Sequence, residues 1–411
     1  MLKKALLPVA IAALTAQAHA GTVTTDGADI VIKTKGGFSA KTTDGQYSFK
    51  IGGRVQLDYN DYDDVISQDD NGDSDIFFRR ARLAVKGHAG DWKYGLSYNL
   101  GAGDDIDAGV DQLHVTYTGF GKLFNITAGQ QKENFGLEDT GSSKWITAME
   151  RSLVANAFDT GNNIGLKVHG ANDLLSYSLG VFTEGVDTDN ELDTSVTGRL
   201  VVRPIYSGDT VLHLGAGFTQ RDSDADVIRD DFDDFGTRLG IRGANNGDAT
   251  RFNPSFTSGD GDEMSVYNLE AAYASGPLHI MAEYYDGEID APEGVVSDDL
   301  EADGYYVQVG YVLTGESRKY KKSSASFGKI KPKSESGAWE VFARIDHISA
   351  DDGTNINLVG GDDADALTLG VNWYANSNVK LSLNYVSVET DEDINGDDDG
   401  DAITARLQYA F

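Results

Sequence analysis

Much of the chain alternates apolar and polar side chains with a period of two. Phe49, Ile51, Val55, Leu57 and Tyr59 alternate with Lys50, Arg54, Gln56, Asp58 and Asn60. Trp92, Tyr94, Leu96, Tyr98 and Leu100 alternate with Lys93, Ser97 and Asn99. At the end of the chain Ile403, Ala405, Leu407, Tyr409 and Phe411 alternate with Thr404, Arg406, Gln408 and Ala410. This period predicts β-strands, and about sixteen such stretches follow one another. One face of each is apolar. The other carries Lys, Arg, Gln, Asn, Thr and Gly, which a dry core cannot hold unpaired. Lipid outside and water inside satisfy both faces. The expected fold is all-β: a transmembrane antiparallel β-barrel of about sixteen strands, wide enough for an aqueous lumen.

The connections support this reading. Short turns at 88–90, 119–121, 170–172 and 375–377 alternate with long loops at 61–75, 101–109, 131–161, 184–191, 221–263, 288–301, 350–363 and 390–400. Bacterial barrels have short periplasmic turns and long external loops. Segment 315–336 breaks the alternation. It carries seven basic residues from Arg318 to Lys333 and falls on the periplasmic side, as a solvated turn or an electropositive exit.

The N-terminus sets the compartment. Lys3 and Lys4 precede an apolar run from Ala5 to Ala16, and Ala18-His19-Ala20 offers a small-residue cleavage site. Residues 1–20 therefore read as a secretory signal peptide. Residues 21–47 read as a short periplasmic segment and 48–411 as the barrel. The expected destination is a Gram-negative-type outer membrane. The absence of cysteine suits an oxidising compartment.

The formal charge of −32 disfavours nucleic acid as a partner. The acids concentrate in the predicted external loops: Asp61 to Asp75, Asp104 to Asp107, Asp222 to Asp234 and Glu389 to Asp401. A solvated acidic rim is one reading. Ca²⁺ or Mg²⁺ shared with anionic lipopolysaccharide is the other, since such runs supply oxygen ligands. No dedicated cofactor is expected. No histidine stands in a Gly-x-Ser-x-Gly or His-Glu-x-x-His setting, so catalysis is not expected either.

Several segments resemble a known family. These are TVTTDGADIVIKTKGG at 22–37, YSFKIGGR at 47–54, FRRA at 78–81 and NFGLEDTGSSKWITAMER at 134–151. LTGESRKY at 313–320, FGKIKP at 327–332, GAWEVFAR at 337–344 and TLGVNWY at 368–374 complete the set. Together they are similar to the phosphate-selective porins O and P. The resemblance implies a homotrimeric porin for passive uptake of small anions, phosphate or related oxyanions. It also implies an inward-folded loop at 131–161 that narrows a basic lumen. By motif it implies anion-binding roles for Arg54, Arg79, Arg80 and Lys144, with Asp111 beside them. Strand parity puts Arg54 and Arg80 in the lumen, whereas Arg79 fits only at a strand end or bulge. Asp139 departs from the family, which has lysine after FGLE, and a carboxylate there would repel phosphate. A general or weakly cation-selective porin therefore stays open. Tyr409 and the terminal Phe411 form the expected signal for the barrel-assembly machinery.

Overall fold

The computed structural model describes residues 21–23, 27–34, 37–62, 73–101, 108–186, 192–222, 234–242, 251–259, 261–394 and 397–411. The proposed signal peptide and much of the acidic stretches near 61–75, 104–107 and 222–234 lie outside the described residues.

Sixteen strands form the wall. They are β1 Tyr47–Tyr62, β2 Asp73–Ala89, β3 Trp92–Leu100, β4 Ala108–Tyr117, β5 Asn125–Lys132, β6 Asn162–Ala171, β7 Leu175–Val186 and β8 Leu192–Ser207. The second half comprises β9 Thr210–Asp222, β10 Glu263–Ser275, β11 Leu278–Ile289, β12 Leu300–Val312, β13 Ala338–Ala350, β14 Asp363–Tyr374, β15 Val379–Ile394 and β16 Asp397–Ala410. Sequence neighbours pair antiparallel, and β16 closes on β1 with Ala410 opposite Arg54. Closure removes the open edges that a bilayer would leave unsatisfied.

The seam is tightly built. Phe411 N–H donates to Gly53 O at 3.2 Å, and Gly53 N–H donates to Phe411 O at 3.0 Å. A Cβ on residue 53 would lie 2.5 Å from Arg82 O and 2.8 Å from the Phe411 ring, so only glycine fits. Beyond Phe411, strand Phe38–Thr42 takes over the β1 edge, with Phe38 opposite Ile51 and Lys41 opposite Ser48. Strands Ile30–Lys33 and Gly21–Val23 extend this meander at the short-turn end.

Through the middle of the wall the outward residues are apolar and exposed, as at Leu96, Leu166, Leu200, Leu269 and Leu383. On β10–β16 the pattern inverts above Tyr267, Tyr284, Tyr305 and Tyr385. The outward positions become Glu263, Asp286, Glu288, Glu301, Asp303, Asp363, Asp365, Glu389 and Asp401. The inward positions at that level are apolar and buried: Val266, Ile289, Leu300, Ala302, Ile348, Ala364, Val386, Val388 and Ala402. Segments 234–242 and 251–256 fold down onto them through Phe235, Leu239, Ile241 and Phe252. Burying each large side chain there contributes about 1.5–3 kcal/mol. The expectation of a polar inward face throughout therefore fails at the external end, where the strands leave the membrane and enclose a dry core.

Two further expectations need correction. The acidic run near 390–400 belongs largely to the β15–β16 hairpin rather than to an open loop. Segment 315–336 is not a solvated turn. It enters the lumen and buries Arg318, Tyr320, Ala325, Phe327 and Ile330.

Candidate functional site

The lumen is filled on one side only. The loop from Glu133 to Gly161 packs chiefly against β10–β16, and the insertion from Gly315 to Lys333 packs against β6–β9 and against that loop. The open path is left against β1–β4.

Polar groups on the wall hold the loop. Gly136, at φ 70°, turns the chain beneath Tyr285, whose hydroxyl would lie 2.2 Å from an added Cβ. The short helix α1, Leu137–Thr140, then presents two free N–H groups to the Glu283 carboxylate, at 2.6 and 2.8 Å. Tyr285 and Tyr306 hydroxyls also donate to Glu283, at 3.0 and 2.8 Å. Helix α2, Leu153–Ala157, is capped by Ser152, whose Oγ accepts from Ala155 N–H at 3.1 Å. Leu153 N–H donates to Asp346 at 3.0 Å. Between the helices, Lys380 Nζ donates to the carbonyls of Ile146 and Thr147, at 3.1 and 3.3 Å. Phe158 stacks on Tyr285 with centroids 5.4 Å apart and meets Phe235 of the external cap at 5.0 Å.

The insertion is clamped to the loop and the wall. Arg318 donates to Thr147 Oγ1 at 2.7 Å and to the Trp145 carbonyl. Arg199 donates to the carbonyls of Ser324 and Ala325, each at 3.0 Å. His213 Nδ1 and the Tyr320 hydroxyl share a hydrogen bond of 2.6 Å.

A cavity of about 1290 Å³ remains. Among the described residues, twelve cations line it: Lys50, Arg54, Arg79, Arg80, Arg82, Lys86, Lys93, Lys132, Lys144, Arg151, Arg242 and Lys321. Three carboxylates of the described residues do so: Asp111, Glu150 and Asp159. Strand register creates part of this excess, because Lys50 lies opposite Lys86, Arg54 opposite Arg82 and Gln56 opposite Arg80. Small Gly52 and Ala84 separate the first two rungs. Like charges directly opposite each other weaken a β-ladder, so this arrangement does not arise from stability.

Carboxylates compensate the cations unevenly. Towards the external side, Arg82 pairs with Asp111 at 2.7 Å, Arg79 with Glu150 at 3.0 Å and Arg151 with Asp159 at 3.4 Å. Lys50, Arg54, Lys86, Lys144 and Lys321 have no carboxylate partner among the described residues. Burial, with Arg54, Lys86, Lys321 and Lys50 close by, lowers the Lys144 ammonium to about 8. Burial and the cations Lys86, Lys319 and Lys329 also lower Lys321.

Strand parity locates Arg54 and Arg80 correctly. Arg79 also turns inward, because the β1–β2 register shifts between Gln56 and Leu57 and supplies the required bulge. Lys144 lies on the loop beside Trp145, with its Nζ 5.9 Å from the ring. Asp111 faces Arg82 and Asn162. Asp139 is placed differently from expectation. It is buried behind the cavity wall, bound to Lys132 and, at 3.0 Å, to Arg151, so it orients two cations. Lys50, Lys86 and Lys321 were missed. Lys50 has the same parity as Arg54, which was the available signal. Lys321 belonged to the basic run read as a solvated turn or an electropositive exit, and its place in the cavity depends on the fold of the insertion. Of the arginines in the long external loop, Arg242 reaches the cavity, Arg221 pairs with Glu133 at 3.1 Å, and Arg229 lies outside the described residues.

The chain is similar to known outer-membrane porins. The chain is 41% identical to Porin O of Pseudomonas aeruginosa over 428 residues, spanning 97% of this chain and 96% of that one. Solved outer-membrane barrels share the fold at low identity. OmpT of Vibrio cholerae aligns with a TM-score of 0.58 at 12% identity, covering 89% of this chain and 98% of its own. An anion-selective porin from Comamonas acidovorans aligns at 0.53 and 12%, covering 89% and 100%. The model of the family described as phosphate-selective porin O and P matches residues 49–411. The chain thus belongs to the phosphate-selective porin O and P family of outer-membrane channels.

Proposed function

We propose that this porin passes small anions passively, with phosphate and related oxyanions as its preferred cargo. The supporting observation is the cation excess on the cavity wall, where Lys50, Arg54, Lys86, Lys144 and Lys321 have no carboxylate partner among the described residues. Guanidinium groups present paired donors that match two oxygens of an oxyanion. Lysines beyond them take over the ion as a succession of weaker sites, as conduction requires. The name of the relative's family and the anion selectivity of the Comamonas porin point the same way. The reading is of a channel, not an enzyme.

The working unit proposed is a homotrimer, the form in which OmpT of Vibrio cholerae is also described. Tyr409 and Phe411 are proposed as the signal read by the barrel-assembly machinery. The outward acids on β10–β16 are proposed to meet lipopolysaccharide headgroups, with Ca²⁺ or Mg²⁺ shared between the two as the contact. Among the described residues, no three His, Asp or Glu side chains form a preassembled cation site.

Phosphate block of chloride current through single channels tests the cargo. Arg54→Ala and Lys144→Ala should each raise the half-blocking phosphate concentration about three- to tenfold, as loss of one nearby charge implies. An unchanged value in both variants would contradict the assignment.

A further inference from the structure

Glu150 meets more cations than either other acid on the cavity wall. Arg79 takes both of its oxygens, through Nε and Nη2, each at 3.0 Å. Arg406 Nη2 lies 2.5 Å from Oε1, and Arg80 Nη1 lies 4.0 Å from the same oxygen. Asp111 and Asp159 each pair with one arginine. Asp58, which shares Arg406 at 2.7 and 2.6 Å, is buried away from the cavity. Glu150 instead lines the cavity and keeps 15% of its side chain exposed. Burial opposes its ionisation, but Arg79, Arg406 and Arg80 hold it well below the usual carboxylate range.

We propose that Glu150 is a resident counter-ion that a passing oxyanion must displace, and that it thereby limits how tightly the Arg79–Arg80–Arg406 cluster holds its cargo. This rests on the anion reading above and assigns one side chain the control of release. A carboxylate offers a guanidinium the same two-oxygen face as phosphate does. Without Glu150, Arg79 and Arg80 would have no carboxylate partner among the described residues, while Arg406 keeps Asp58. Guanidiniums so released would retain a divalent oxyanion, whereas a channel must let it go. With Glu150 present, entry exchanges one set of charge-assisted hydrogen bonds for another, and return of the carboxylate expels the ion. The main chain is suited to this exchange. The Glu150 carbonyl is held by Arg344 Nη1 at 3.0 Å and the Met149 carbonyl by Arg406, so the side chain can swing while the loop stays in place.

The test compares E150Q and E150D with the wild-type channel by phosphate block of single-channel chloride current. In E150Q the half-blocking concentration should fall about tenfold and blocked intervals lengthen by a similar factor, as removal of one competing charge implies. In E150D, whose carboxylate is withdrawn by one methylene, block should strengthen about threefold. Unchanged or weaker block in E150Q overturns the proposal, because a carboxylate that only props the loop would loosen the site on removal. If E150Q does not assemble, E150D decides on the same criterion. A wild-type channel that prefers potassium to chloride withdraws the anion reading together with this one. Chloride preference with unaltered block in the variants rejects Glu150 alone.

Discussion

Lys50 and Lys86 face each other across the β1–β2 ladder, and Arg54 and Arg82 repeat the arrangement further along. The energetic penalty falls on the barrel, and the benefit goes to any anion in the lumen. Lys144 adds a loop cation to this column. Because it is lowered to about 8, it is charged below that pH and neutral above it. Block by sulfate, whose own charge is constant in this range, should therefore weaken as pH rises through about 8. Lys144→Gln should flatten that step; a step that persists in the variant would assign it to another group. Asp139 carries a different lesson. The family resemblance leads to the expectation of a lysine there, and of a carboxylate in its place that repels phosphate. Here Asp139 lies between Lys132 and Arg151, so the lysine would meet two cations without a counter-charge. Even Asp139→Asn should lower stability by about 3 kcal/mol, the loss expected on breaking a buried pair. The temperature of the heat-induced gel shift measures this, and an unchanged temperature would argue against the pairing. Parity located Arg54 and Arg80 because strands fix side-chain direction. It could not locate Asp139, because an irregular loop does not.

At the level of elements, the loop and the insertion reach the same point of the lumen from opposite ends. Arg318 joins them through Thr147 and Trp145. The loop was legible because its length interrupts the strand rhythm and its motif is specific. The insertion was read as a solvated turn or an electropositive exit because seven basic residues crowd into it. Its partners, such as Arg199 and His213, lie more than a hundred residues away, and no local period announces them. Hydrogen bonds to charged groups contribute about 1.5–3 kcal/mol each. Arg318→Ala should therefore free the insertion enough to raise open-channel noise in planar bilayers, while barrel assembly persists. A quiet channel of wild-type conductance would show that the clamp is dispensable.

For the whole molecule, the sequence carries a net charge of −32 while the cavity wall carries twelve cations and three carboxylates among the described residues. The separation is geometric. On β10–β16 the acids point outward above the tyrosine level, and the inward positions there enclose apolar cap residues. That inversion was present in the alternation, with Ile348 beside His347 and Ala364 beside Asp365. It was missed because one polarity was assumed along each strand. Rim charge is screened within about 8 Å at physiological ionic strength, whereas an ion in the lumen passes within contact distance of the wall. Pore selectivity should therefore follow the wall and oppose the net charge. The zero-current potential of the purified channel, in a planar bilayer separating dilute from concentrated potassium chloride, reads this directly. A potential of the sign set by chloride, retained from low to moderate salt, is the expected result. A potential of the sign set by potassium would contradict the account.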